Sequence, residues 1–111
     1  MKKVVITGAG GFIGRRCIPF LVEKGYEVIA MGRGNRPYFI TESVDWLSAD
    51  ILDLSRTAAL IKSIRPTHLL NLAWYTEHGK FWNAKENFSW VSALMNLLTA
   101  FNDSGGKRFV G

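Results

Sequence analysis

A chain of 111 residues, 48% apolar and 21% charged, holds one globular domain and not two, and its composition excludes a disordered or collagen-like polymer. The lone cysteine, Cys17, excludes an internal disulfide and a multi-cysteine zinc site; it reads as a buried thiol in a reducing compartment, so a cytoplasmic location is expected. The net charge of +5 is scattered, with no basic helix stripe or zinc-finger spacing, so nucleic acid is not an expected partner. No membrane is expected either: no apolar run reaches the ~18 residues of a span, and Gly8, Gly10 and Gly11 break the short apolar start.

Residues 3–7 form a short β-branched run, the signature of a buried strand. A glycine-rich turn leads into a helix over 12–24, with Ile13, Cys17 and Leu21 at four-residue spacing and Gly25 as its stop. Pro19 inside that helix removes one backbone hydrogen bond. A second strand over 27–31 is followed by a polar loop over 32–43 and a weaker third strand over 44–49. Residues 54–64 read as a helix whose rows are marked by Leu54, Ala58, Ile61 and Arg65, with Pro66 closing it before a fourth strand over 67–72. The longest helix spans 81–102, with Phe88, Val91, Met95, Leu98 and Phe101 as one apolar face. Asp103 to Gly106 ends it, and a fifth strand begins over 107–110.

Alternating strands and helices imply an α/β fold of Rossmann type: a parallel sheet with right-handed crossovers, strand order 3-2-1-4-5 and helices on both faces. In such a sheet a ligand sits at the switch between strands 1 and 4. With strand 5 as the last element, an open apolar edge remains, so an isolated chain of this length is expected to be marginally stable or to associate.

The segment Thr7-Gly8-Ala9-Gly10-Gly11-Phe12-Ile13-Gly14 follows a strand and opens a helix. Gly8 permits a tight turn, Gly11 lets the backbone approach a pyrophosphate, and Gly14 lets the helix pack closely. The helix start then offers free N–H groups and a positive dipole end to phosphate. Gly8, Gly10, Gly11, Phe12, Ile13 and Gly14 are therefore assigned to a dinucleotide cofactor. The general Gly-x-Gly-x-x-Gly pattern fails at Ile13; the match is Gly-x-x-Gly-x-x-Gly. A P-loop is excluded, because no Gly-Lys-Ser/Thr closes the segment.

Thr7-Gly8-x-x-Gly11-x-x-Gly14 resembles the extended short-chain dehydrogenase/reductases, the NAD(P)-dependent epimerases, dehydratases and reductases of nucleotide sugars. Asp50-Ile51 resembles that family's Asp-hydrophobic pair, which implies that Asp50 accepts from the adenine amino group and Ile51 covers the ring; an Asp set before a helix for its dipole is the other reading. Asn71-Leu72-Ala73-Trp74 resembles the segment ending strand 4, which implies that the backbone of Leu72, Ala73 and Trp74 passes the cofactor ribose. Asn87 matches an Asn that supports the active-site floor, and Lys107-Arg108-Phe109-Val110 resembles the strand leading to a catalytic Ser/Thr. The resemblance covers essentially the whole chain, but the family's Ser/Thr and Tyr-x-x-x-Lys are not in it; Tyr75 with Lys80 has the wrong spacing. No catalytic residue is therefore assigned. The chain reads as about the first third of an enzyme, inactive alone, whose whole form is expected to be a homodimer and lacks here its substrate-binding part.

A Rossmann domain that reads NAD carries an acid about 20 residues past the glycines. None stands between Val28 and Thr41; Arg33 takes the place, with Arg36 close by. A guanidinium suits a 2′-phosphate, so NADP is favoured over NAD.

The segment from Trp74 to Trp82 is rich in aromatic residues and leaves the carboxyl end of strand 4. Trp74, Phe81 and Trp82 either pack under the next helix or line a ligand. His78 could touch substrate, whereas His68 stands far off in a strand and no metal site forms. Trp46 and Trp90 read as structural. The leading expectation is an oxidoreductase or isomerase that oxidises a nucleotide sugar transiently. The alternatives are a non-catalytic NAD(P)-binding sensor and an interaction domain that keeps only the fold.

Overall fold

A computed structural model describes residues 2–73 and 86–111, with side chains omitted for Glu86 and Asn87. Among the described residues eight elements follow one another: β1 (Lys3–Thr7), α1 (Phe12–Glu23), β2 (Glu27–Gly32), β3 (Asp45–Ser48), α2 (Leu54–Ile64), β4 (His68–Asn71), α3 (Glu86–Asp103) and β5 (Arg108–Val110). All pairings in the sheet are parallel and its order is β3-β2-β1-β4-β5, as expected from the alternation of strands and helices. The chain therefore reverses direction of growth beside β1, between β2 and β4.

The two-residue period of the strands feeds two cores. Val5, Ile29, Met31 and Leu69 meet Ile61 of α2 and Trp90, Ala93, Leu97, Ala100 and Phe101 of α3 on one face. Val4, Ile6, Val28 and Ala30 meet Ile18 of α1, together with Ile40 and Val44 of the β2–β3 connection, on the other. Helices on both faces give the three-layer arrangement.

Three helix faces differ from the sequence-based expectation. On α1 the core takes Gly14 and Ile18, with Leu21 and Val22 packed beside them; Ile13 is 57% exposed and Cys17 is half-buried rather than buried. On α2 the inward row is Thr57 and Ile61, flanked by Ala58, Leu60 and Ile64, and Leu54 lies largely outside it. On α3 the expected face is the outer one: Phe88, Val91 and Met95 are exposed, and Phe101 alone of that set is buried. The inward side carries Trp90, Ala93, Leu97, Ala100 and Phe101, and α3 lies close against α2 as it covers the core.

Helix ends follow local chemistry. Asp53, not Asp50, caps α2 by accepting from the Arg56 N–H at 3.3 Å. Arg65 ends α2 in the left-handed region (φ 52°). Pro19 lies on the exposed side of α1, so the carbonyl it leaves without a partner can be solvated. Among the described residues no helix is long and apolar enough to cross a membrane.

Candidate functional site

An open groove of about 640 Å³ runs along the carboxyl ends of β1, β2 and β4, a volume typical of small-molecule sites. Its first wall is the β1–α1 turn, where Gly8, Gly10, Gly11, Phe12, Ile13 and Gly14 all face the groove. Gly8 has φ +66°, and a Cβ there would stand 2.6 Å from the Ala73 backbone nitrogen. The turn thus lies directly against the end of β4, so Gly8 serves close approach as well as chain reversal. A Cβ on Gly14 would stand 2.6 Å from the Ala9 carbonyl oxygen, so the first turn of α1 closes back on the loop that precedes it. Gly10 has no such need: a Cβ there would meet only the Pro37 ring, at 3.7 Å.

Gly11 occupies the N-cap of α1 with an extended backbone and supplies no side-chain acceptor. The first-turn N–H groups of α1 are left for an outside acceptor, and no acidic residue sits in that turn. Backbone N–H groups in this arrangement are able to bind an anion.

The second wall is made of side chains. Arg33 is exposed and lines the groove; among the described residues it makes no hydrogen bond or ion pair. Arg36 differs from it. Its guanidinium donates to the carbonyls of Ile40, Thr41 and Val44 at 3.2, 2.8 and 3.0 Å, and is spent on shaping the β2–β3 connection. Trp46 reaches the groove from β3 and donates its indole N–H to the Gly34 carbonyl at 3.2 Å. Sequence reasoning gave Trp46 a structural part only, because its place in the groove follows from strand register, which pairs Ala30 with Trp46 and which no local motif announces.

Asp50 and Ile51 stand at the far rim. One Asp50 carboxylate oxygen accepts from the Leu52 N–H at 3.0 Å, which fixes the turn, while Ile51 is 4% exposed and lines the groove. Leu72 and Ala73 complete the floor, and the buried Trp90 of α3 contributes to it from below. At the ends of β1 and β4 the buried Thr7 hydroxyl donates to the Asn71 side-chain carbonyl, tying the two strands where the sheet changes direction.

The groove therefore gathers every residue assigned to a cofactor except Trp74, which lies outside the described residues, as do Tyr75, His78, Phe81, Trp82 and the side chain of Asn87. Among the described residues no group of three His, Cys, Asp or Glu could hold a metal ion.

Residues 4–111 match the model of the NAD dependent epimerase/dehydratase family. The chain belongs to that family. It is 35% identical over 72 residues to the dTDP-6-deoxy-L-talose 4-dehydrogenase (NAD(+)) of Aggregatibacter actinomycetemcomitans, a match covering 64% of this chain and 27% of the relative. It is 29% identical to the GDP-mannose 4,6-dehydratase of Yersinia enterocolitica, across 95% of this chain and 32% of that enzyme. The chain thus spans about a third or less of the length of these curated relatives. Among solved structures it resembles the UDP-glucose-4-epimerase of Stenotrophomonas maltophila with bound NAD, at TM-score 0.80 and 25% identity over 98% of this chain and 36% of that one. The fold is shared with the Thermus thermophilus UDP-glucose 4-epimerase at TM-score 0.83, with 22% identity over 96% of this chain and 36% of that one. The family groups NAD-dependent epimerases, dehydratases and reductases of nucleotide sugars, on a Rossmann-type domain.

Proposed function

We propose that this chain is the cofactor-binding part of a nucleotide-sugar epimerase, dehydratase or reductase, and that its groove takes NADP(H) in preference to NAD(H). The observation that carries the reading is the meeting of an uncapped helix start cleared by glycines with Arg33, unpaired among the described residues, at the opposite wall of one groove. The pyrophosphate fits the α1 start, where a side chain on Gly11 would fill the approach. Adenine fits the rim at Asp50 and Ile51, and Leu72 and Ala73 lie where a ribose would pass. With Arg36 occupied by three carbonyls, Arg33 is the guanidinium left to pair with a 2′-phosphate.

Held by the α1 start, Arg33, Asp50 and Ile51, a bound dinucleotide would supply hydride-transfer chemistry to a sugar carbon. The residues in this chain bind and orient the dinucleotide, while the groups that move the hydroxyl proton and hold the sugar are supplied elsewhere in the whole protein. A cytoplasmic location belongs to the same reading, supported by the single half-buried thiol.

Fluorescence titration of the purified protein with NADPH and NADH tests this. Arg33→Ala should weaken NADPH by roughly 10–100-fold, about 1.5–3 kcal/mol for a lost charged contact, and leave NADH unchanged. Gly11→Val should abolish binding of both while the fold survives. A wild-type protein that prefers NADH, or an Arg33→Ala variant that keeps its NADPH affinity, removes the NADP assignment.

Self-association is proposed on the outer row of α3, where Phe88 is 79%, Met95 57% and Val91 48% exposed. An apolar row of this kind suits contact with a second copy. Met95→Lys should shift the protein toward monomer in sedimentation and remove the concentration dependence of its melting temperature; a wild type that is monomeric at all concentrations ends the idea.

A further inference from the structure

Gly32 ends β2 at the groove, in the region where a ribose-reading carboxylate stands in NAD-binding Rossmann domains. A Cβ at this position would lie 2.6 Å from Cη2 of Trp46 and 3.3 Å from its Cζ2. No side chain fits at 32 while the indole holds its place. The indole is held: its N–H donates to the Gly34 carbonyl, and its body packs against the core that contains Ala30. Register explains the arrangement. Trp46 pairs with Ala30, Ser48 with Gly32, and Ala30 and Gly32 share one side of β2. Two small residues in that row make room for one large ring, which leans along the strand to the groove.

We propose that Trp46 is a specificity-determining residue of the groove: its indole occupies the space beside Gly32 that a ribose-reading carboxylate would need, and presents an apolar wall to the adenosine end of the dinucleotide. This rests on the reading of the groove as a dinucleotide site and extends it to a residue outside the glycine loop and the Asp50–Ile51 pair. The division of labour is physical. Trp46 denies the site an acid, which would attract ribose hydroxyls and repel a 2′-phosphate, and Arg33 supplies the charge that a phosphate needs. Exclusion of the wrong group and attraction of the right one are carried by different residues, as specificity by negative means requires.

A double-mutant cycle on the full chain tests it with two readouts, melting temperature and dinucleotide affinity. Gly32→Asp alone should lower the melting temperature by about 5 °C or more, because the indole must be displaced. Adding Trp46→Ala should restore more than half of that loss relative to Trp46→Ala alone. The double variant should bind NADH about tenfold or more tightly than Trp46→Ala, through new hydrogen bonds from the carboxylate to ribose, and should lose NADPH affinity. Absence of thermal coupling between 32 and 46, or a Gly32→Asp variant that gains NADH affinity with Trp46 in place and no loss of stability, overturns the role of Trp46. So does a double variant whose affinities match Trp46→Ala. Failure of the wild type to bind either dinucleotide overturns the groove reading itself and the specificity role with it; the thermal cycle, which needs no ligand, tells these failures apart.

Discussion

At the carboxyl ends of the strands, backbone stands bare: Gly8 and Gly14 fit only because they lack a Cβ, which would strike the Ala73 or Ala9 backbone, and the first-turn N–H groups of α1 have no side-chain cap. At the amino ends of the same strands, polar groups satisfy one another. Thr67 Oγ1 lies 2.9 Å from the Lys3 nitrogen, 3.0 Å from the Lys3 oxygen and 2.8 Å from His68 Nδ1. The Lys3 ammonium donates to the Ile64 carbonyl at 3.1 Å and stands 3.9 Å from the Glu27 carboxylate. Tyr26 meets the His68 ring edge-on at 5.3 Å, with the Lys2 ammonium 5.6 Å from its own ring centre. One end of the sheet is left with valences to fill, and the other is closed. The proposed ligand chemistry falls at the first and stability at the second, so substitutions at the two ends should fail in different ways.

The largest effect is expected at Gly8. Gly8→Ala forces an L side chain into a left-handed backbone and drives its Cβ to 2.6 Å from the Ala73 nitrogen, which cannot swing aside as a side-chain tip can. Strain of ~1–2 kcal/mol for the backbone and ~1–3 kcal/mol for overpacking add up, so a loss of roughly 3 kcal/mol is expected. Urea unfolding measures it. A variant that unfolds at the wild-type midpoint would mean that β4 does not press on the turn, and the comparison between the ends would lose its steric basis.

This difference also governs what the sequence could reveal. The glycine spacing was legible because each glycine answers a local steric demand, and the sheet order followed from β-branched runs alternating with helices. The bounds of β1 and α2 fall where the residue pattern placed them. Helix orientation was harder. On α3 the eye follows Phe88, Val91 and Met95, the large residues, but the sheet accepts the side bearing Ala93, Leu97 and Ala100. Both rows have helical spacing, and packing against α2 and the shared core decides between them. Arg36 and Trp46 were illegible for another reason: the first is consumed by carbonyls four to eight residues away, and the second depends on the pairing of β3 with β2. The folded path of the β2–β3 connection and the strand register, rather than weakness of signal, hid them.

At the closed end, Thr67→Val should cost about 1–2 kcal/mol, because it removes the hydroxyl and leaves the Lys3 N–H short of an acceptor in a partly buried position. The change should leave dinucleotide affinity as it was, measured beside the unfolding midpoint. An effect on affinity as large as that on stability would show that the two ends are coupled through β1 and are not separate.

The smallest effect is a pH dependence from the same cluster. Burial, then the Lys2 and Arg108 charges, hold the His68 imidazole below its ordinary pKa. The unfolded chain therefore takes up a proton more readily than the folded one once the pH drops below about 6.5. Stability is fully present above that value, falls as the pH falls through it, and levels off below the folded pKa. The local hydrogen bonding leaves that penalty as it stands. The Thr67 hydroxyl has a single hydrogen, and it can serve Lys3 oxygen and accept from both neighbours only if His68 Nδ1 carries a proton. That requirement is met by the Nδ1–H neutral tautomer as well as by the cation, so the hydrogen bond supports one tautomer without favouring protonation. Melting curves between pH 7.5 and 5.5 should show a shallow decline in the wild type that is flatter in His68→Gln. A decline of equal slope in both would assign the acid sensitivity to carboxylates elsewhere and leave the closed end of the sheet indifferent to pH.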